Sequence, residues 1–110
     1  MIEVIVISAA ANRIVAMDVP QSYESFAAAI GTERFDIRIL DGGDSIFFPE
    51  DITDGTGTFE MDHCVFNAPA IIFRQGEFSI PETPRMTVFD ARRRISHLQA
   101  GWDEYERVQT

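Results

Sequence analysis

Residues 34–48 read RFDIRILDGGDSIFF, and this stretch decides the fold. Its first half alternates between two kinds of side chain, with apolar Phe35, Ile37 and Ile39 on one side and charged Asp36 and Arg38 on the other. A period of two is typical of a strand with one buried face. DGGD then predicts a tight turn, and SIFF predicts a strand that returns beside the first. The stretch therefore predicts an antiparallel hairpin.

The residues before this hairpin predict two strands and a helix. IEVIVIS at 2–8 is almost continuously apolar and β-branched, which favours a strand buried on both faces. RIVAMDV at 13–19 predicts a second strand, antiparallel to the first. Beyond Pro20, apolar residues recur at helical spacing after Ser22, a favoured N-cap residue. Gly31 suits the left-handed position that ends many helices.

The residues after the hairpin predict further strands. TFEMDHCVF at 58–66 alternates again, and we expect one continuous strand there. Its predicted inner face holds Phe59, Met61, His63 and Val65, and its outer face holds Glu60, Asp62 and Cys64. NAPAIIF at 67–73, the turn RQGE and FSI at 78–80 predict one more strand or hairpin.

The last quarter of the chain predicts a long helix. Thr87 and Asp90 have the spacing of a capping box, and apolar residues follow at intervals of three and four: Val88, Ala91, Ile95, Leu98, Trp102 and Tyr105. We therefore expect an α+β fold in which residues 1–110 form a single domain. Its antiparallel or mixed sheet would have about five to six strands and two helices, in the order β-β-α-β-β-β-β-α.

Composition narrows the class of protein. The chain has 110 residues, of which 45% are hydrophobic, enough to bury a core. No apolar run approaches the roughly 18–20 residues of a membrane span, and the first residues lack the basic segment of a signal peptide. The only cysteine, Cys64, cannot form an internal disulfide, which suits a reducing compartment. We expect a cytoplasmic protein.

The net charge of −9 comes from eighteen acidic residues against nine arginines. Contact with DNA, RNA or anionic lipid needs a basic face, so we expect neither direct nucleic-acid binding nor membrane binding. An acidic chain is attracted instead to basic protein surfaces. The charge is concentrated, because eight acids between Asp36 and Asp62 stand against Arg38 alone.

Seven carboxylates of this stretch form the candidate partner-binding surface: Asp41, Asp44, Glu50, Asp51, Asp54, Glu60 and Asp62. They are compatible with a metal loop, a catalytic carboxylate pair, an imitation of a nucleic-acid backbone, or solvated turns that protect sheet edges. A calcium loop of the EF-hand type starting at Asp51 would place Thr56 where glycine is required. A looser calcium site could use Asp51, Asp54 and Glu60.

Other chemistry finds less support in the sequence. Structural zinc needs four ligands at paired spacing, whereas the chain offers Cys64, His63 and the distant His97. Neighbouring side chains in a strand point to opposite faces, so His63 and Cys64 would not form a catalytic pair. Glu60 and Asp62 would share a strand face, as many solvent-facing pairs do. We expect no enzyme activity, no metal and no cofactor.

The order of elements over about residues 2–98 resembles a small bacterial family of phage- and plasmid-borne domains of unknown function, often found near antirestriction genes. The opening strand pair, the short helix ending in IG, the FDIRIL strand with its turn, and NAPAIIFRQGEFSI followed by a helix carry this resemblance. The first half also resembles a β-grasp, ubiquitin-like arrangement, although ERVQT at the end disfavours a conjugation role. In size and charge the chain is similar to anti-CRISPR and antirestriction inhibitors.

We therefore expect a non-enzymatic, protein-binding inhibitor from a phage or other mobile element, acting in the cytoplasm of the host cell. Its acidic surface would occupy the nucleic-acid-binding site of a host protein complex. The alternative is an accessory β-grasp-like subunit of a bacterial assembly that binds through its C-terminal helix. A small hydrolase is a third reading, with Glu60, Asp62 or His63 indispensable. A self-association surface that forms a homodimer would use Arg92, Arg93, Trp102 and Tyr105.

Overall fold

The observed elements follow the sequence pattern up to residue 49 and depart from it at two elements afterwards. The computed structural model describes residues 1–9, 11–50 and 57–99, with side chains through Ser96. Within these ranges the chain forms nine strands and two α-helices. In order, they are β1 (Ile2–Ser8), β2 (Arg13–Val19), α1 (Tyr23–Ile30), β3 (Phe35–Ile39), β4 (Ser45–Pro49), β5 (Gly57–Met61), β6 (Cys64–Ala68), β7 (Ala70–Gln75), β8 (Pro81–Glu82), α2 (Val88–Arg94) and β9 (Ile95–Gln99).

The larger of two sheets has the strand order β2-β1-β7-β4-β3, with β8 paired to β7. β1 and β2 form a hairpin that pairs Ile2 with Val19 and Ser8 with Arg13. β3 and β4 form the hairpin predicted from residues 34–48. All described strand pairs are antiparallel. The α+β class is confirmed, and the sheets are antiparallel rather than mixed.

Helix α1 covers one face of this larger sheet. It begins after Ser22, whose hydroxyl accepts the main-chain N–H of Ser25 at 3.1 Å, and it ends at Gly31 with φ of 69°. Its buried Phe26 and Ile30 pack on side chains that the strands point toward it. These are Val4, Val19, Phe47, Ile71 and Phe73. The predicted helix and both of its end residues are confirmed.

The other face of the larger sheet is covered by a second sheet of order β6-β5-β9 together with α2. The buried side chains between the layers are Ile5, Ile7, Ile46, Ala70 and Ile72 from the larger sheet, Phe59, Met61, Phe66 and Ala68 from the smaller one, and Ala91 from α2. β1 is therefore buried on both faces, as its continuous apolar sequence predicts. The larger sheet has six strands, within the predicted five to six, and the smaller sheet adds three more. The difference arises because two predicted elements are divided differently.

The first of these elements is the strand predicted at 58–66, which is a hairpin. Asp62 and His63 both have positive φ, 52° and 63°, and form the two-residue turn between β5 and β6. Such turns are usually marked by Asn-Gly or Asp-Gly, and His63 stands where glycine would give that signal. The turn also reverses the predicted faces beyond it, because Phe66 is buried while Val65 is 68% exposed.

The second of these elements is the predicted C-terminal helix. It ends at Arg94, although apolar residues continue at helical spacing beyond that residue. Residues 95–99 form β9 instead, and β9 pairs with β5 on the edge that β6 leaves open. Strand pairing with an open edge overrides local helical spacing because it satisfies the main chain of both strands. The predicted capping box is confirmed, since Thr87 and Asp90 exchange hydrogen bonds of 3.0 and 3.1 Å. Trp102 and Tyr105 lie outside the described residues.

Neither α1, with eight residues, nor α2, with seven, has the length and hydrophobicity of a membrane-spanning helix, and the described ranges contain no other candidate.

Candidate protein-binding surface

Asp44, one of the seven candidate carboxylates, is a buried part of the fold. Asp44 is 3% exposed, and its two carboxylate oxygens accept hydrogen bonds from the main-chain N–H groups of Arg85 and Met86, each at 2.9 Å. Its carbonyl accepts the N–H of Leu40 at 2.7 Å, which closes the β3–β4 turn. Asp44 therefore fastens the segment before α2 to this turn. Its predicted place on an exposed acidic surface is wrong because the carboxylate lies in the interior.

Asp62 also serves the fold. Its side chain is 16% exposed and forms a two-bonded ion pair with Arg94, whose side chain is 28% exposed. Asp62 accepts the main-chain N–H of Asp41 at 3.1 Å, and Arg94 donates to the carbonyl of Asp41 at 3.0 Å. These bonds join the end of α2, the β5–β6 turn and the β3–β4 turn. The carboxylate of Asp62 is therefore neutralised by a neighbouring arginine within the fold.

The other candidate carboxylates lie in three situations. Asp41 is exposed in the β3–β4 turn, and Glu50 is exposed where β4 ends. Glu50 pairs with Arg34 at 3.3 Å, and both side chains remain close to half exposed or more. Glu60 is half-buried on β5, opposite Val65 and Ser96. Asp51 and Asp54 lie outside the described residues.

Two exposed carboxylates that the sequence reasoning left out belong to the same part of the molecule. Glu33 precedes β3, and Asp36 lies within it. Together with Asp41 and Glu50 they follow the hairpin at the edge of the larger sheet. The alternation of RFDIRIL could have predicted the exposure of Asp36, because it places this residue on the side of the strand opposite the apolar residues. We call these four residues the hairpin carboxylates: Glu33, Asp36, Asp41 and Glu50.

The structure does not assemble the catalytic groups considered from the sequence. Asp62 and His63 occupy the turn, and Glu60 lies on the preceding strand, so the expected same-face carboxylate pair does not form. Cys64 packs against the core at the start of β6. In residues 1–9, 11–50 and 57–96, no three side chains of His, Cys, Asp or Glu come together in a way that could hold a metal ion.

One cleft lies between β1, β2 and the segment before α2. It encloses about 210 Å³ and is lined by apolar residues such as Ile5 and Met86, with Glu3 and Arg85 as its charged members. Small-molecule sites usually measure about 300–1,000 Å³. The cleft is smaller than this range.

The two arginines predicted for self-association have partners within the chain. Arg92 donates to the carbonyl of Ile14 at 3.1 Å, which fastens α2 to β2. Arg93 pairs with Asp90 at 3.1 Å, and its guanidinium lies 5.0 Å from the centre of the Phe89 ring. On the inner side of α2, Ala91 is buried and Val88 packs against the same core. The described part of the predicted apolar stripe therefore contacts the core of its own chain.

Strand β3 is one of the two edge strands of the larger sheet, and no other strand of the described residues pairs with its outer side. Ile39 is 68% exposed and Phe35 is 37% exposed, while Phe35 stacks on Phe47 with ring centres 4.3 Å apart. An exposed edge strand with apolar side chains is a template for pairing with another chain. The hairpin that carries the exposed carboxylates thus also carries an open strand edge.

In comparisons with known proteins, the chain matches no protein-family model, no curated protein and no solved structure.

Proposed function

We propose that this protein is a non-enzymatic inhibitor that binds a basic, nucleic-acid-binding surface of another protein, as inhibitors carried by phages and other mobile elements do. The hairpin carboxylates supply the contact. The observation that carries the proposal is the position of Asp41 and Glu50, which are exposed at the two ends of one hairpin in a chain of net charge −9.

Charge supports this function in two ways. DNA carries one negative charge per roughly 1.7 Å of helix axis, so a protein site made for phosphate attracts a row of carboxylates. The attraction acts over a Debye length of about 8–10 Å at physiological salt and accelerates association. The burial of Asp44 and the ion pair of Asp62 reduce the predicted surface, and the exposed Glu33 and Asp36 extend it along β3.

The proposal is tested by capture from a bacterial lysate, with tagged protein at about 100 mM and about 500 mM salt, since contacts to a phosphate-binding site weaken steeply with salt. The test variant is Asp41→Asn with Glu50→Gln. The matched control is Glu3→Gln with Asp18→Asn, which removes the same charge from exposed residues that face each other on β1 and β2.

We expect a nucleic-acid-binding protein to be retained by the wild type and by the control at low salt, and to be released at high salt. The test variant should retain much less of it. If both variants retained the protein equally, the hairpin carboxylates would serve only solubility. Retention that is unaffected by salt would exclude a phosphate-binding site as the target.

A further inference from the structure

We propose that two copies of this chain pair through β3 in an antiparallel, symmetric register centred on Ile37. The paired strands would join the two larger sheets into one. Three features of β3 carry this inference: the direction of its main-chain groups, the order of its charges and the position of its apolar side chains.

The direction of the main-chain groups follows from the pairing with β4. Leu40 donates its N–H to Asp44, and Glu50 donates its N–H to the carbonyl of Arg34. In an antiparallel pair, bonded and non-bonded positions alternate, so even-numbered residues of β3 bond to β4. The N–H and C=O groups of Phe35, Ile37 and Ile39 therefore point away from the sheet, toward the open edge.

The register centred on Ile37 matches these outward groups. Ile37 faces Ile37 of the second copy, and Phe35 faces Ile39 of the second copy at both ends. Each of the three outward residues then meets another outward residue. Every such pair exchanges two bonds, one N–H from each residue, so three pairs give six main-chain hydrogen bonds.

The charges of β3 select this register over its neighbours. Residues directly opposite in an antiparallel pair share a face, and here Asp36 of each copy faces Arg38 of the other. A shift by two residues in one direction places Asp36 opposite Asp36, and a shift in the other direction places Arg38 opposite Arg38. Like charges in direct opposition are destabilising. The centred register alone pairs opposite charges and uses all the outward groups.

The apolar residues meet on the opposite face, which is the one that α1 partly covers. Phe35 and Ile39, both exposed in the single chain, lie side by side across the proposed interface. Asp36 and Arg38 lie on the other face, where the guanidinium of Arg38 is 5.6 Å from the centre of the Phe66 ring. The pattern FDIRI is therefore complementary to itself on both faces when it is reversed.

The single chain is protected at the centre of this edge. The carboxylate of Asp36 accepts the N–H of Ile37 at 2.8 Å, so the central outward donor is bonded before any partner arrives. In the dimer the N–H of Ile37 would donate to the second copy, and the carboxylate of Asp36 would pair with Arg38 of that copy. This exchange leaves no buried polar group without a partner.

The opposite edge of the sheet does not offer the same surface. On β2, the carbonyl of Ile14 already accepts a hydrogen bond from Arg92, and α2 packs beside the strand. Five residues on each side of a β3 pair give a small interface, below about 1,200 Å². The register also places Glu33 near Asp41 of the second copy. The repulsion between these two carboxylates lowers the affinity of the dimer. We therefore expect a dimer that dissociates on dilution. Because the dimer pairs Asp36 with Arg38 of the second copy, the monomer is the form that presents all four hairpin carboxylates to a target.

A charge-exchange experiment tests the proposal with the full chain. Sedimentation equilibrium is measured from about 10 μM to about 1 mM, the range that suits a weak dimer, for four proteins. They are the wild type, Asp36→Arg, Arg38→Asp, and the double variant Asp36→Arg with Arg38→Asp. Circular dichroism checks that each variant is folded, which we expect because both residues are exposed.

We expect the wild type and the double variant to dimerise with increasing concentration, since both place opposite charges face to face. Each single variant should stay monomeric because it opposes like charges at two places. An equimolar mixture of the two single variants should form a mixed dimer, because one copy then presents two arginines to the two aspartates of the other. A wild type that is monomeric throughout, or single variants that dimerise like the wild type, would overturn the proposal. So would a mixture that stays monomeric. A dimer that forms through the C-terminal residues would associate equally in all four proteins, and this result would also overturn the proposal.

Discussion

Arg94 donates from both Nε and Nη2 to the carboxylate of Asp62, and through this ion pair the last turn of α2 is fastened to the β5–β6 turn. The same two side chains bond to the main chain of Asp41 in the β3–β4 turn. Three segments that are distant in sequence thus meet at one ion pair. An acid predicted to bind a partner instead stabilises the contact between the two sheets.

The ion pair predicts a difference between two neighbouring arginines. Arg94→Met should lower the free energy of unfolding by about 1–3 kcal/mol, because it leaves the mostly buried Asp62 carboxylate without its cation. Arg93→Met is the control, since its pair with Asp90 is exposed and worth under about 1 kcal/mol. Urea denaturation measures both. Equal losses for the two variants would contradict the assigned role of Arg94.

Asp44 predicts a similar contrast between the two ends of the DGGD turn. Asp44→Ala should lower the free energy of unfolding by about 2–4 kcal/mol, because the N–H groups of Arg85 and Met86 lose their acceptors. Asp41→Ala should change it by no more than about 0.5 kcal/mol, since that side chain is exposed. Thermal unfolding of both variants checks the assignment. An Asp44→Ala protein as stable as the wild type would mean that the carboxylate is not buried.

The turn at Asp62 and His63 predicts a stabilising substitution. His63 holds φ of 63°, a conformation that costs a non-glycine residue about 1–2 kcal/mol. His63→Gly should raise the free energy of unfolding by about 0.5–1 kcal/mol, after the greater flexibility of glycine in the unfolded chain is subtracted. His63→Ala is the control, because alanine keeps the strain and should give no gain. A loss of stability in His63→Gly would contradict the two-residue turn.

The lowered pKa of Asp90 predicts that the stability of α2 depends on pH. The main-chain N–H of Thr87, followed by the Thr87 side chain and Arg93, holds the pKa of Asp90 below its ordinary 3.8. A lowered pKa in the folded state means that Asp90 stabilises the fold above about pH 3.8 and that this contribution disappears as the pH falls through the lowered value. The protection of amides at the start of α2 from hydrogen exchange, relative to their intrinsic exchange rates, should therefore fall in that acidic range. The Asp90→Asn variant should lack this part of the loss of protection, and an identical acid response in both proteins would contradict the assignment.

Local signals predicted the elements that depend on local interactions. The alternation around Ile37, the DGGD turn, the Ser22 cap and the capping box at Thr87 each involve residues close in sequence, and each is present in the structure. The continuous apolar run of β1 also indicated a sheet covered on both faces. Such patterns determine an element and its buried face without reference to the rest of the chain.

The remaining features depend on contacts between distant residues. The strand character of residues 95–99 arises from the open edge of β5, which local helical spacing cannot reveal. The roles of Asp44 and Asp62 depend on Arg85, Met86 and Arg94, which lie more than thirty residues away. A buried carboxylate and an exposed one have the same sequence signature when both flank a turn. The candidate site was therefore located by charge, and only the fold distinguishes its structural acids from its exposed ones.

Displacement of labelled DNA from the captured target tests the proposed inhibition most directly. The anisotropy of the DNA is followed while this protein is added to the purified target. We predict that DNA is released in proportion to the added protein until one equivalent is present. The Glu3→Gln/Asp18→Asn control should behave like the wild type, and Asp41→Asn/Glu50→Gln should release little DNA. A target that binds this protein and its DNA at the same time would contradict the proposed function.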